Sequence, residues 1–350
     1  MIRLNILRRV ALVFLLLTLA ACGATTTAPT TVPQPTSTPA ATPTTVPQPT
    51  DTPAATPTTV PQPTSTPAAA PVVVLTDSAG REVALEALPQ TFVSLAPSTT
   101  EILFALGLGQ QVIAIDDFSN YPAEAESLPR IGGTDFSYNY EQIAVLQPDL
   151  VLAAGITSPE AVEKIESLGI PVAILGTPET TLDGVFADIE LAGALTGRSE
   201  QARLITTAMR ARLDEIKARI APVTERPRVF WELDATDPAK PFTVGPGNFI
   251  SDLLNIAGGE NIFATADSPF PQVSAEQIVA ADPQIILLAD AQYGITVESV
   301  LARPGWETIT AIKEKRVYPI NDDLVSRPGP RIIEGLESIA RLLHPDLFGG

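Results

Sequence analysis

The sequence predicts an α/β protein of two lobes, each a mainly parallel sheet flanked by helices. One long rigid helix joins them, and a ligand cleft lies between. Three observations lead there. Past residue 72, apolar runs of strand length alternate with helix-period segments. One stretch of text occurs twice, once in each half. A single long amphipathic segment lies between the two copies.

The strand-like runs are Phe92–Leu95, Leu150–Ala153, Val172–Leu175, Arg228–Trp231, Ile285–Leu288 and Val317–Ile320. Continuous apolar runs of this kind suit parallel strands covered on both faces. Helix-period text such as Thr100–Leu106 and Ala161–Leu168 separates them. The duplicated stretch is Glu141-Gln-Ile-Ala-Val-Leu-Gln-Pro148-Asp-Leu-Val-Leu152 against Glu276-Gln-Ile-Val-Ala-Ala-Asp-Pro283-Gln-Ile-Ile-Leu287. In both, Glu-Gln-Ile opens a short helix, a proline stops it, and a buried strand follows. Upstream, each half places a strand, a proline-containing loop and a helix ending at glycine, Gly107 in the first and Gly258 in the second. The connector spans about Ser199 to Ile220, with Leu204, Ile205, Ala208, Met209, Leu213, Ile216 and Ile220 as its apolar stripe. A stiff connector predicts small closure on binding rather than a wide swing. The division expected is 72–198 for the first lobe, 199–221 for the connector and 222–350 for the second lobe.

The N-terminus reads as an address followed by a tether. Arg3, Arg8 and Arg9 precede an apolar run from Val10 to Ala20, the form of an export signal over residues 1–21. Leu19-Ala20-Ala21-Cys22 resembles a bacterial lipobox, which implies cleavage before Cys22 and its acylation. Two or more acyl chains suffice for stable anchoring, at about 0.8 kcal/mol per buried methylene. Residues 22–71 then form a Pro/Thr-rich tether in which Thr-Val-Pro-Gln-Pro-Thr recurs every 14 residues, at Thr31, Thr45 and Thr59. Such text has no Leu, Ile or aromatic side chain to bury, so disorder with polyproline II character is expected. Fully extended it would reach on the order of 150 Å.

Composition excludes several function classes. The chain of 350 residues carries 22 Lys+Arg against 40 Asp+Glu, a net charge of −18, which opposes nucleic acid as a partner. With one His, His344, and one Cys, Cys22, there is no disulfide framework and no His-based zinc set. Phosphate-loop, dinucleotide and nucleophile-elbow motifs are missing, so no enzyme is expected and no resident cofactor.

Val93-Ser-Leu-Ala-Pro-Ser-Thr-Thr-Glu-Ile-Leu-Phe-Ala-Leu-Gly107 resembles the opening of the helical-backbone (class III) substrate-binding proteins of ABC importers. Tyr121-Pro122, Ile131-Gly132-Gly133, Pro241-Phe242-Thr243, Gly258-Gly259-Glu260-Asn261, Pro271-Gln-Val-Ser274 and Pro330-Arg331-Ile332 extend the likeness over most of residues 90–335. Within that family it is nearest the vitamin B12-binding members; siderophore and haem binders are relatives. The resemblance implies a lipid-anchored capture protein on the outer face of the cytoplasmic membrane, a monomer. It would hand a large metal-containing ligand to an ABC permease dimer with its ATPase subunits. Cobalamin is the cargo it implies, with a ferric siderophore or haem as alternative and a surface-tethered enzyme or adhesin as the outside reading. Carried over position by position, it implies ligand contacts at Phe118, Phe136, Phe242, Phe270, Asp323 and Arg327, and permease docking through Glu141 and Glu276. A first-turn glutamate is also favoured by the helix dipole alone. Trp231 is expected at the cleft end of its strand, Trp306 in packing, and His344 at an inert surface.

Overall fold

The computed structural model describes residues 73–133 and 137–348. The signal segment, Cys22, the Pro/Thr tether and Phe136 lie outside them. An antiparallel pair, β1 (Val73–Thr76) and β2 (Glu82–Leu85), comes first. The first lobe continues with β3 (Phe92–Ser94), α1 (Pro97–Ala105), β4 (Val112–Ile115), α2 (Tyr140–Leu146), β5 (Leu150–Ala154), α3 (Pro159–Glu166), β6 (Val172–Leu175) and α4 (Leu182–Leu195). Helix α5 (Ser199–Ile220) follows. The second lobe holds β7 (Arg228–Asp234), β8 (Phe242–Thr243), α6 (Phe249–Ile256), β9 (Glu260–Asn261), α7 (Ala275–Ala281), β10 (Ile285–Leu288), α8 (Val297–Leu301), α9 (Thr310–Lys313), β11 (Val317–Pro319), α10 (Asp322–Val325), α11 (Ile332–Leu343) and α12 (Pro345–Phe348).

The two sheets share one plan. In the first the order is β4-β3-β5-β6, all parallel. In the second, β9, β7, β10 and β11 pair in the same way, and short β8 adds antiparallel to the carboxyl end of β7. The duplicated text becomes duplicated geometry. Asn139 caps α2 by accepting from Gln142 N–H, and Ser274 caps α7 in a reciprocal box with Gln277. Both helices end on a left-handed residue, Gln147 (φ 46°) and Asp282 (φ 45°), just before Pro148 and Pro283. Gly107 and Gly258 likewise follow α1 and α6 with φ of 76° and 82°, a conformation glycine adopts without steric cost.

One core runs through both lobes. Val185, Phe186 and Ile189 of α4, Met209, Leu213 and Ile216 of α5, Leu253 and Leu254 of α6 and Leu336 and Ile339 of α11 belong to a single buried cluster. The face α5 buries is narrower than the stripe read from sequence and turned relative to it. Ala202, Thr206, Met209, Leu213 and Ile216 are buried, whereas Leu204 and Ala208 face solvent. Close approach sets this rotation: a Cβ on Gly193 of α4 would lie 2.5 Å from that of Ala202, so small residues occupy the seam. Trp231 is corrected too. It is wholly buried in the shared core and does not reach the cleft. Trp306 packs edge-on to Phe230 at 6.2 Å, as expected. His344 is half-buried, with Nε2 3.2 Å from the Gly258 carbonyl.

Candidate cleft between the sheet ends

The carboxyl ends of the two sheets meet along their edges. At one edge the loop after β4 reaches α10, which follows β11: Asn120 Nδ2 donates to Asp323 Oδ2 at 2.9 Å. At the other, Phe249 N–H at the start of α6 donates to the Thr180 carbonyl after β6 at 2.7 Å. Leu182 N–H donates to Asp252 Oδ2 at 2.8 Å beside it. Along these ends of the strands several large apolar side chains remain open to solvent. Phe118 after β4 is 50% exposed, Ile156 after β5 69%, Phe242 on β8 42% and Tyr293 after β10 67%. Solvent-facing groups of this size mark a surface awaiting a partner when they gather at strand ends.

Phe242 and Phe270 belong to one small unit. Residues 269–273 run antiparallel to 241–245, with Thr243 N–H donating to Pro271 O at 3.0 Å and Gly245 N–H to Pro269 O at 2.8 Å. The bridge Phe242↔Gln272 sets the register, so alternation puts Phe242, Val244, Phe270 and Gln272 on one face. That face grades from core to solvent: Val244 is buried, Phe270 packs half-buried on the core, and Phe242 is open.

Phe118 is positioned from both lobes. Its N–H donates to Asp116 Oδ2 at 2.9 Å, and its carbonyl accepts from Arg327 Nη2 at 3.4 Å. Asp116 also accepts from the Ser119 hydroxyl, and burial pushes its carboxyl above the ordinary range. A buried hydroxyl chain continues from Ser119 to Thr100 (2.7 Å) and on to Ser94 (2.7 Å). Asp323 and Arg327, read from the resemblance as ligand contacts, bond across the lobes. Arg327 donates to Asp323 Oδ1 at 2.5 Å and to Asn120 Oδ1 at 2.7 Å, and lies 3.4 Å from Glu101. Arg331 completes the seam, donating to both oxygens of the buried Glu101 carboxylate at 2.8 and 2.5 Å. Its guanidinium lies 3.8 Å over the Tyr121 ring.

Asn120, Glu101, Arg331, Ile156 and Tyr293 are site-building residues that sequence reasoning did not single out. Gln292 and Tyr293 join the same network: Gln292 Nε2 donates to Asp323 Oδ1 at 3.4 Å, and the Tyr293 hydroxyl to Asp322 Oδ2 at 3.2 Å. Two sizeable cavities lie apart from Phe118, Phe242 and Phe270. One, of about 440 Å³, adjoins Gly155, Thr157 and Gly176; the other, of about 580 Å³, lies among Phe104, Tyr121, Pro330 and Arg331. Among the described residues no cluster of three or more His, Cys, Asp or Glu is placed to hold a metal ion, and no helix is long and apolar enough to cross a membrane.

Glu141 and Glu276 occupy the second position of α2 and α7, and both are exposed. Hydrogen bonds from its own N–H and from the Ser274 hydroxyl hold the Glu276 carboxyl below its usual range. Val145, one turn on from Glu141, is 83% exposed.

Residues 92–324 match the family described as periplasmic binding protein. An uncharacterized ABC transporter substrate-binding lipoprotein, YvrC of Bacillus subtilis, is 34% identical over 79% of this chain and 87% of its own length. The solved periplasmic vitamin B12 binding protein BtuF of Vibrio cholerae superposes with a TM-score of 0.63 at 28% identity, covering 75% of this chain and 99% of that one. The periplasmic heme-binding protein RhuT from Roseiflexus sp. RS-1 does so at 0.66 and 26%, covering 74% and 99%. With paired parallel sheets flanked by helices already in place, the chain belongs to the periplasmic binding protein family, the substrate-binding proteins of ABC transporters that include vitamin B12 and haem binders.

Proposed function

We propose that this protein captures a corrinoid, most simply cobalamin, and delivers it to an ABC permease dimer from a lipid anchor at Cys22, on the outer face of the cytoplasmic membrane. The observation that carries the reading is the set of large side chains left open at the sheet ends: Phe118, Ile156, Phe242 and Tyr293. Each aromatic ring can bury about 150–250 Å² against a macrocycle. Likeness to the vitamin B12 binder supports the same cargo. An anionic siderophore is less well served, because the Arg327 guanidinium is already matched by Asp323 and Glu101. Glu141 and Glu276 supply one exposed carboxylate per lobe, suited to matching basic pockets on a symmetric permease dimer.

Haem is the second reading, and Tyr293 favours it, since a phenol at a cleft is a group that ligates ferric haem. Desolvation, with Asp322 and Asp323 nearby, raises the Tyr293 pKa and opposes the phenolate that ligation needs. Titration of the soluble body with cyanocobalamin and haemin, read by tryptophan quenching, separates the two. Saturable binding of cyanocobalamin is expected. Saturation by haemin alone, with a Soret shift lost in Tyr293→Phe, would replace this reading with the second.

A further inference from the structure

The loop Asp116–Tyr121 carries the solvent-exposed Phe118 and belongs to the first lobe, while part of its support comes from the second. From its own lobe, Asp116 holds the Phe118 N–H, and Arg130 Nη1 donates to the carbonyls of Asp116 (2.7 Å) and Ser119 (2.6 Å). From the opposite lobe, Arg327 and Asp323 take both ends of the Asn120 side-chain amide, at 2.7 and 2.9 Å, and Arg327 reaches the Phe118 carbonyl. A planar amide gripped at its oxygen and its nitrogen has little freedom to rotate. The loop therefore has a fixed place before any ligand arrives. Arg327 and Asp323 are in turn bonded to each other, and Gln292 Nε2 adds a hydrogen bond to Asp323.

We infer that Asn120 is a positioning residue: through Arg327 and Asp323 it clamps the Phe118 loop of one lobe onto the other and so presents the Phe118 ring to the cargo at a set point of the cleft. This rests on the reading that the cleft takes a planar macrocyclic cargo. Fixing the loop in advance spares the complex the cost of ordering it on binding. Arg327 then acts on the cargo through the ring it places.

A double-mutant cycle tests the clamp. Asn120 is exposed, so Asn120→Ala is expected to fold normally. Affinity for cyanocobalamin is expected to fall about tenfold in Asn120→Ala and to change less than about twofold when the same substitution is made in Phe118→Ala. An equal loss in both backgrounds would show that Asn120 acts without the ring and would overturn the inference. Amide hydrogen exchange of the ligand-free protein gives a second readout: residues 117–120 should exchange faster in Asn120→Ala, and unchanged exchange would equally overturn it. If the native protein binds neither cyanocobalamin nor haemin, the cargo reading falls by itself, and exchange still decides whether the clamp exists.

Discussion

At the carboxyl end of β3, the first lobe is furnished with small hydroxyls. Ser94, Thr99 and Thr100 are buried and bond to one another and to Ser119. At the carboxyl end of β7, in the same place of the same sheet plan, the second lobe buries ions. Glu232 receives a two-pronged ion pair from Arg303, with Nη2 2.7 Å from Oε1, and Arg303 lies 4.7 Å over the Trp306 ring. Asp290 joins them with Oδ1 lacking a hydrogen-bond partner among the described residues. Capped helices, left-handed stops and prolines repeat because they define the sheet and its connections. Whatever fills the sheet end is free to differ, and here short hydroxyl chains line the end of β3 while the end of β7 holds an ion pair directly.

Docking would treat the lobes alike, and that symmetry gives the largest expected effect. Replacing both Glu141 and Glu276 by Ala should abolish uptake into cells or permease-containing vesicles while cyanocobalamin affinity stays unchanged. Weakened ligand binding in the double variant would place those carboxylates at the cleft instead. The sheet ends should part company in stability. Arg303→Ala leaves Glu232 charged, buried and beside Asp290, so a loss of about 3–5 kcal/mol in chemical unfolding is expected. Thr100→Val removes one hydroxyl whose neighbours keep other partners, Ser94 the Ala96 carbonyl and Ser119 the Asp116 carboxylate, and should cost about 1 kcal/mol. Equal losses would erase the contrast between the hydroxyl-lined end of β3 and the ion pair at the end of β7.

Titration sharpens it further. Burial and the neighbouring Glu232 push Asp290 up to about 6, and burial pushes Asp188, on α4 against Ser78, up to about 6. Both folded values lie above the ordinary 3.8. Each carboxyl thus contributes stability that is fully present below about pH 4 and is lost as pH rises through about 6. Thermal unfolding between about pH 4 and 7 should show the native protein losing stability as pH rises, the loss complete by about pH 7. Asp290→Asn should flatten that slope, and Asp188→Asn should flatten it independently because the two groups belong to different lobes. A slope unmoved by Asp290→Asn would mean that its carboxyl is ionised across this range.

Much of this architecture was legible in sequence because it is encoded locally. The Glu-Gln-Ile and Pro signals of both halves, the glycines after α1 and α6 and the long α5 each depend on neighbours a few residues away. The face of α5 was harder to read. Its seam is set by Gly193 against Ala202, a helix–helix approach invisible to hydropathy, and Leu204 was left outside it. Phe118 and Phe242 came from the family likeness and lie open at the sheet ends. Asn120, Glu101 and Arg331 escaped because their partners lie more than 200 residues away in sequence, where no spacing rule reaches. Arg327, expected as a ligand contact, also ties the lobes through Asn120, 207 residues away.

The smallest effect lies at the two left-handed stops, where the lobes look most alike. Gln147 and Asp282 share φ near +45°, which costs an ordinary residue about 1–2 kcal/mol. Their side chains are not equivalent. Asp282 accepts from Thr310 N–H at 2.7 Å and pairs with Arg228 at 3.3 Å, and those bonds, with the Thr310 backbone contribution foremost, hold its pKa down. No side-chain hydrogen bond of Gln147 is found among the described residues. In the first lobe the corresponding tie comes from Asp149, which accepts from Gln90 and Thr91 N–H at 2.8 and 2.9 Å. Gln147→Gly should therefore relieve strain and stabilise by about 0.5–1 kcal/mol, net of the greater freedom glycine brings to the unfolded chain. Asp282→Gly relieves the same strain but takes away the side-chain acceptor of Thr310 N–H and hydroxyl, while Arg228 keeps its bonds to the residue 282 carbonyl, and should destabilise. Opposite signs in denaturant midpoints at unchanged slope would show that a shared backbone conformation is supported differently in each lobe. If both substitutions stabilise, the bonds of Asp282 contribute less than the strain they accompany.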